Sequence, residues 1–268
     1  MAVEPRTPQP SFPLHEHDFC ELVIVASGNG CHVLNGEPHL LSCGEVLYLG
    51  PDDRHAFEQV QDLYLTNVIY RPNAALLQRL APYLQASADE AGERRYWQLS
   101  DDALGRLEPL LGALAREARQ PDAASHLMAE SLLVQLLVTL WRDRFATDGQ
   151  GLSARGRLAH VLRYLRHNCT QPIDLDELAE RFGYSPRNFR RVFREATATA
   201  PHDYLVKLRL CRAMRALRAS DASITDVALA SGFNDGNHFS YAFRKQTGTS
   251  PSQYRGGAGG RSSLERGA

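Results

Sequence analysis

Apolar residues along this chain of 268 residues recur with two different periods. Over residues 19–70 they form short β-rich runs separated by turn residues, and Asn35-Gly36 is a typical hairpin turn between two of these runs. From Leu104 onward the apolar residues are spaced for helices instead. The pattern therefore predicts an α+β chain, with strands in the first part and helices behind them.

The predicted strands are short and closely spaced, which is typical of a small antiparallel barrel or jelly roll. They cover residues 21–26, 31–34, 39–41, 45–49 and 63–70, with turns at residues 27–30 and 50–53. The interior of such a barrel is a common place for a small ligand.

Two helices are predicted after the barrel, over residues 104–119 and 126–145. The second has more than one apolar stripe, formed by Leu132, Leu133, Leu136, Leu137, Leu140 and Trp141. We expect one side of this helix to cover the barrel and the surplus to pair with a second subunit. Two ordinary core helices are the alternative.

The last part of the chain contains one pattern written twice. The first copy is Leu178-Ala179, Gly183, Phe189 and Phe193, and the second is Val227-Ala228, Gly232, Phe239 and Phe243. In each copy the alanine allows close helix packing, the glycine supplies a turn residue with positive φ, and the phenylalanine pair anchors a second helix. The sequence therefore predicts an all-α domain with two helix-turn-helix units.

The second helix of each unit leaves a polar face free. Ser185 and Pro186 are a good N-cap and first residue for one helix, and the other begins near Asn234 or Asp235. The free side chains are Arg187, Asn188, Arg190, Arg191 and Arg194 in the first unit, and Asn237, His238, Ser240, Tyr241, Arg244 and Lys245 in the second. Arginine and asparagine form bidentate hydrogen bonds with base edges. DNA binding is favoured over a helical bundle whose charged faces are merely solvated.

The net charge of −1 hides an uneven distribution. Residues 1–150 contain 11 arginines and 21 acidic residues, whereas residues 151–268 contain 19 basic and 10 acidic residues. A basic second half suits a phosphate backbone, and an acidic first half would be repelled from it.

The double motif resembles the AraC/XylS family of transcription regulators. The matching residues include Gly183-Tyr184-Ser185, Arg191-Val192-Phe193-Arg194, Ile224-Thr225-Asp226-Val227-Ala228, Gly232-Phe233 and His238-Phe239-Ser240. One departure is Ala198, which stands where the family usually has the glycine that the second unit keeps as Gly248. A left-handed alanine costs roughly 1 kcal/mol, so we expect either a strained turn or a different geometry there.

The resemblance implies a role for each exposed side chain. Residues 203–217 would form one rigid helix between the two recognition helices, which would read successive major grooves on one side of the duplex. Arg187, Asn188, Arg190 and Arg191 from the first recognition helix, and Asp235, Asn237, His238 and Tyr241 from the second, would face DNA, while Arg194, Arg244 and Lys245 would meet phosphates. Asp226 is a candidate contact for RNA polymerase, or simply a favourable charge at a helix N-terminus.

Histidines in the barrel have the spacing of a metal site. His15, His17 and Glu21 alternate on an extended strand, and with Gly28 and the later His55 they resemble the cupin metal motif. Sensor barrels of this family often keep that pattern without a metal, so the sequence favours no cofactor and a sugar-binding or structural polar cluster.

The barrel most resembles the L-rhamnose operon regulators of the family. The resemblance lies in His17-Asp18-Phe19, His32-Val33-Leu34-Asn35-Gly36, Asp53-Arg54-His55 and the run from Leu65 to Arg71. It implies an aldose-like effector held by His17, Glu21, His32, His55 and Asn67.

The predicted organisation has five parts. They are a disordered N-terminus (residues 1–13), a cupin-like effector-binding and dimerisation domain (14–145), a flexible linker (146–156), an AraC-type DNA-binding domain (157–255) and a disordered tail (256–268). We expect no signal peptide and no apolar run long enough to cross a membrane. Five cysteines without a CxxC pair fit a reducing cytoplasm.

Two functions from different classes follow. The first is a cytoplasmic, homodimeric transcription activator that binds promoter DNA, responds to a small sugar and recruits RNA polymerase. The alternative is a metal-dependent cupin enzyme, such as a dioxygenase or sugar isomerase, fused to a DNA-binding module.

Overall fold

The computed structural model describes residues 1–71, 96–145 and 154–258. Strands occupy Ala2–Arg6 (β1), Phe12–His15 (β2), Cys20–Leu34 (β3), Glu37–Ser42 (β4), Glu45–Leu49 (β5), His55–Tyr70 (β6) and Tyr96–Gln98 (β7). Helices occupy Asp101–Glu117 (α1), Ala123–Phe145 (α2), Ala154–Asn168 (α3), Leu175–Arg181 (α4), Pro186–Thr197 (α5), Pro201–Ala219 (α6), Ile224–Ala230 (α7), Gly236–Thr247 (α8) and Pro251–Gln253 (α9).

The strands form one antiparallel sheet around the long pair β3 and β6. The order is β1-β6-β3-β5-β7, and β4 and β2 pair with the remaining lengths of β3 and β6. The sheet encloses an apolar layer that includes Val23, Val25, Leu47, Leu63 and Leu65. We call this part of the molecule the barrel and this layer its interior.

Two outer faces of the barrel are covered by different helices. One face, which includes Leu22, Tyr48 and Val68, packs against α1 and α2. The other face consists of Cys31, Val33, Leu40 and Ala56, and it packs against the helices that follow residue 154. We call this second surface the interdomain face. The predicted α+β fold with a β-rich part and an all-helical part is confirmed.

Strand β3 runs through the segment where a turn was expected. Instead of turning at residues 27–30, the strand continues to Leu34 with irregular pairing to β6. Gly28 has φ +80° there, and a Cβ atom on it would lie 1.9 Å from the carbonyl oxygen of Asp62. The glycine therefore serves a bulge between long strands, which short-range patterns do not distinguish from a turn.

The N-terminus differs from the expected disorder, because residues 2–6 form β1. This strand pairs with β6 at the edge of the sheet, from Ala2 opposite Ile69 to Arg6 opposite Leu65. An edge strand tolerates Pro5, which cannot donate a ladder hydrogen bond. The proline-rich composition suggested disorder, but the unpaired edge of β6 provides the partner that orders the segment.

The helical part contains the two predicted helix-turn-helix units. Helices α4 and α5 form the first, α7 and α8 the second, and α6 lies between them. Gly183 and Gly232 occupy the turns with φ of +74° and +92°, as expected. Ala198 ends α5 in the left-handed conformation with φ +55°, so the strained alternative is the one observed.

Helix α2 satisfies the length and composition of a membrane-crossing segment over Ala123–Asp143, and 28% of an 18-residue apolar stretch within it is buried. This differs from our expectation that no such run exists. One apolar side of α2 packs against the barrel, as expected, through Leu133, Leu136 and Leu140. Leu127 and Met128 remain 66% and 52% exposed.

Two predicted segments are only partly described. Of the linker, residues 146–153 lie outside the described residues, and Ala154–Asn168 already forms α3. Of the tail, residues 259–268 lie outside them, while Tyr254–Ala258 forms a π-helical turn after α9.

Candidate functional site

The first recognition helix, α5, is fixed at both its start and its buried face. Ser185 caps it, with its hydroxyl accepting from the Asn188 amide at 3.4 Å, and Phe189 and Phe193 are buried. The predicted DNA-binding residues all lie exposed on the opposite side: Arg187, Asn188, Arg190, Arg191 and Arg194.

Two of these arginines are engaged in surface ion pairs. Arg190 lies 2.5 Å from the carboxylate of Asp176, and Arg191 lies 2.7 Å from that of Glu195. Exposed pairs of this kind contribute about 1 kcal/mol or less. Phosphate or base contacts can therefore replace them at small cost.

Asp235 directly precedes the second recognition helix, α8. The Asp235 carboxylate accepts from the His238 amide at 2.7 Å, so it caps the helix as well as standing at the predicted DNA surface. The remaining predicted residues are exposed: Asn237, His238, Tyr241, Arg244 and Lys245. Gly236 and Ser240 are half-buried.

The polar residues predicted in the barrel do converge, but from separate elements. Glu21 lies on β3, His55 begins β6, and His17 lies between strands β2 and β3. The Oε2 atom of Glu21 is 3.5 Å from Nε2 of His17 and 3.7 Å from Nε2 of His55. The expectation that one extended strand carries His15, His17 and Glu21 is wrong, because β2 ends at His15.

His15 lies beside this group without joining its ligand atoms. Its ring centroid is 4.1 Å from that of His55, and its Nδ1 atom is 3.0 Å from the carbonyl oxygen of Pro13. Only three of the four predicted metal-binding side chains therefore have ligand atoms within 4.8 Å of one another.

His32 and Asn67 extend the polar cluster inside the barrel. Nε2 of His32 lies 3.0 Å from Nδ1 of His55. Asn67 pairs with Val23 across the strands, which places it on the same face as Glu21. The Oδ1 atom of Asn67 is buried and has no hydrogen-bond partner among the described residues.

The protonation of these histidines follows from their surroundings. Burial lowers the pKa of His55 to about 3 and, together with the positive charge that His55 would carry, lowers the pKa of His32 well below its usual range. The Glu21 carboxylate raises the pKa of His17. At neutral pH His32 and His55 are therefore neutral, each with one donor and one acceptor nitrogen.

His17, Glu21 and His55 form a donor set that fits a divalent transition metal. Nδ1 of His17 donates to the carbonyl oxygen of Phe19 at 2.9 Å, which leaves Nε2 of the neutral ring as the ligand atom. The Nε2 atoms of His17 and His55 are buried, and neither has a hydrogen-bond partner within the described ranges. The same unpaired atoms also suit the hydroxyl groups of a sugar.

A second polar group, which the sequence did not reveal, joins the barrel to α3. Arg166 lies 2.7 Å from Glu45 and donates to the carbonyl oxygen of Leu40 at 3.2 Å. His39 contacts Glu45 at 3.0 Å and also contacts Arg166. Arg166 and Glu45 are more than a hundred positions apart, so no local pattern could pair them.

Lys207 makes a further polar contact across the interdomain face. Its Nζ atom donates to Asn29 at 2.6 Å and to Gln61 at 2.7 Å. Asn29 in turn donates to the carbonyl oxygen of Thr197 at the end of α5. A weak signal was available, because Lys207 is one of only two lysines in the chain and stands among apolar residues.

Family profiles match both parts of the chain. Residues 178–257 match a helix-turn-helix domain, and residues 1–137 match an AraC-like ligand binding domain. The second match covers more than half of the chain.

Curated relatives match along nearly the whole length. The HTH-type transcriptional activator RhaS of Yersinia pestis is 37% identical over 257 residues, which cover 95% of this chain and 93% of that protein. RhaS and RhaR of Pectobacterium atrosepticum are 38% and 37% identical, over 95% of this chain and 91% and 90% of those proteins. The solved DNA-binding domain of AdpA in complex with a target DNA is 35% identical and covers 41% of this chain and 98% of that chain, with a TM-score of 0.37.

The relatives are transcriptional activators, so the prediction of a regulator rather than an enzyme is confirmed. A ligand-binding domain followed by a helix-turn-helix domain is also the organisation predicted from the sequence. The protein therefore belongs to the AraC family of DNA-binding transcription regulators.

Proposed function

We propose that this protein activates sugar-catabolic genes in response to an aldose bound inside the barrel, close to His17, Glu21, His32, His55 and Asn67. The observation that carries this proposal is a cluster of buried polar side chains in an otherwise apolar interior. Buried polar atoms without partners are costly, and a ligand with several hydroxyl groups would satisfy them.

The chemistry of the cluster suits a sugar. Glu21 can only accept hydrogen bonds, and Nε2 of His17, Nε2 of His55 and Oδ1 of Asn67 have no hydrogen-bond partner among the described residues. Sugar hydroxyls both donate and accept, so one aldose can match the whole set. Relatives named RhaS and RhaR make L-rhamnose the first candidate.

The DNA contacts follow from the exposed faces of α5 and α8. We propose that Arg187, Arg190 and Arg191 read one major groove and that Asn237, His238 and Tyr241 read the next. Asn188 and Asp235 stand at the starts of these helices and would face the same grooves. Arg194, Arg244 and Lys245 would meet phosphates.

The apolar face of α2 would pair two copies of the chain. Leu127 and Met128 are 66% and 52% exposed among the residues that the structure describes. Because the relatives are transcription regulators, a second protein copy fits this face better than a membrane does. A homodimer follows from this assignment.

Asp226 is the proposed contact for RNA polymerase. It is exposed at the start of α7, where its carboxylate accepts from the Ser223 hydroxyl at 2.7 Å. The same pair caps the helix, so a structural role is present as well.

The five cysteines are free and buried, which fits a cytoplasmic protein.

Calorimetric titration of the purified protein with L-rhamnose and other aldoses tests the effector assignment. We expect saturable binding of one aldose, which Glu21→Gln weakens at least tenfold while Glu16→Gln, on an exposed side chain nearby, does not. Binding that survives treatment with a chelator identifies a direct sugar site, and binding that the chelator abolishes identifies a metal-assisted one. No binding of any aldose would overturn the sugar assignment.

A further inference from the structure

A continuous series of side-chain contacts leads from the barrel cluster toward the DNA-binding helices. Nδ1 of His55 is 3.0 Å from Nε2 of His32, and Nδ1 of His32 is 2.9 Å from the hydroxyl of Tyr96. These three groups connect the inside of β6, β3 and β7.

The series continues from the ring of Tyr96. This ring stacks on His39, with centroids 3.6 Å apart and planes within 10°. His39 contacts Glu45, and Glu45 binds Arg166 of α3. Every step is a direct contact, and the last residue belongs to the helix that precedes the first helix-turn-helix unit.

Each neutral histidine carries one ring proton, and the contacts of His32 and His55 allow only two consistent placements of these protons. In one arrangement Tyr96 donates to His32, His32 donates to His55, and the Nε2 proton of His55 points toward Glu21. In the other arrangement every donor and acceptor is exchanged, and Nε2 of His55 becomes an acceptor. A carboxylate beside Nε2 favours the first arrangement.

We propose that the barrel site controls the DNA-binding domain by switching this histidine pair between its two arrangements, with Tyr96 passing the change to the Glu45–Arg166 contact. This inference rests on the proposed function, because the switch is an effector hydroxyl that donates to Nε2 of His55. No proton is gained or lost overall, since each ring exchanges one donor for one acceptor.

Tyr96 is placed to transmit the change for two reasons. Its hydroxyl contacts His32 while its ring stacks on His39. When donor and acceptor are exchanged between His32 and Tyr96, a movement of Tyr96 that adjusts this hydrogen bond also changes the stacking on His39. Strand β7 also pairs with β5, where Gln98 lies opposite Glu45. A shift of Tyr96 therefore reaches Glu45 through both the side chains and the backbone.

A double-mutant cycle tests this route without any effector. Glu21→Gln places an amide donor beside Nε2 of His55 and should mimic the effector. We expect it to change the Kd for a duplex selected by the full-length protein by about fivefold or more, which is a typical coupling between sites. Tyr96→Phe keeps the ring and removes the hydroxyl, so in that background the same substitution should change Kd less than twofold.

Tyr48→Phe is the matched control, because Tyr48 also has a buried hydroxyl in the barrel domain but contacts Cys20 on the outer face. In this background Glu21→Gln should act as it does in the wild-type protein. An equal effect of Glu21→Gln with and without the Tyr96 hydroxyl, or no effect in any background, would overturn the proposal.

Nitrogen-15 NMR of histidine-labelled protein gives an independent readout. The ring shifts should report a proton on Nε2 of His32 in the wild-type protein and on Nδ1 in Glu21→Gln, and an unchanged tautomer would contradict the switch. Neither experiment contains a sugar. A protein that passes both but ignores every aldose would retain the switch and disprove the sugar assignment.

Discussion

The Nζ atom of Lys207 lies 2.6 Å from the Oδ1 atom of Asn29, joining the helix between the two DNA-binding units to the barrel. Lys207 is 7% exposed and also donates to Gln61. Burial lowers the pKa of Lys207 to about 8. A buried cation with amide partners connects the two domains through strong hydrogen bonds.

Replacing Lys207 with methionine should weaken the contact between the domains. Asn29 would remain buried without its donor, which costs about 1.5–3 kcal/mol for a hydrogen bond to a charged group. Urea denaturation of Lys207→Met should therefore show a lower free energy of unfolding. Lys245→Met, at the other lysine, should leave stability within about 0.5 kcal/mol of the wild type, as is usual for surface changes. Equal stability of the two variants would show that the Lys207 contacts contribute nothing.

The Glu45–Arg166 contact should make stability depend on acid. Burial raises the pKa of Glu45, but Arg166 and His39 more than offset this and hold it at about 2, below its usual 4.5. A depressed folded-state pKa contributes stability that is present above pH 4.5 and is lost as the pH falls toward 2. Unfolding experiments between these pH values should show a decrease in the free energy of unfolding of the wild-type protein that is absent in Glu45→Gln. A parallel pH dependence in both proteins would assign the acid sensitivity to other groups.

Ala198 and Gly248 offer a matched pair of substitutions. Both end recognition helices in the left-handed conformation, with φ of +55° and +77°. Ala198→Gly should stabilise the protein by about 0.5–1 kcal/mol, because relief of strain exceeds the added freedom of the unfolded chain. Gly248→Ala should destabilise it by a similar amount, since a Cβ there has open space and only φ opposes it. Differential scanning calorimetry measures both, and destabilisation by Ala198→Gly would show that the turn is unstrained.

Arg187 on α5 should contribute to sequence preference. Arg187→Ala is expected to cost about 1–3 kcal/mol of binding and to relax the preference at one base pair. Arg106→Ala removes an exposed arginine from α1 and should change neither the binding free energy nor the sequence preference. Binding to a duplex library at fixed salt separates the possibilities, and uniform weakening across all sequences would reassign Arg187 to the phosphate backbone.

The exposed side chains on α2 should hold two copies together. Leu127→Asp combined with Met128→Asp should convert the dimer to a monomer in sedimentation experiments, because charges at an apolar contact are not compensated. Leu229→Asp, at a leucine that is 54% exposed on α7, is the control and should leave the mass unchanged. A dimer that persists in the double variant must use another surface.

The helical domain was predictable because its signals are local. Ser185, Gly183 and the phenylalanine pair of α5 act within a few residues of one another, and each stands where the sequence indicated. The same holds for the Asn35-Gly36 hairpin, where both residues have positive φ.

The barrel was less predictable because its features depend on distant strands. The bulge at Gly28 faces Asp62, and the order of residues 2–6 comes from β6. Arg166 with Glu45 could not be paired from sequence, since a charged helix residue is usually solvated. The histidines were identified by their spacing, although the single strand assumed for them does not exist.

In the proposed function, an aldose in the barrel changes the affinity of the recognition helices for DNA. The most direct measurement is the Kd of the full-length protein for its selected duplex, at fixed salt, with and without saturating L-rhamnose. We expect a change of about 5–150-fold in the wild-type protein, as is usual for coupled sites, and no change in Glu21→Ala. An identical response of both proteins, or a wild-type affinity that no aldose alters, would contradict it.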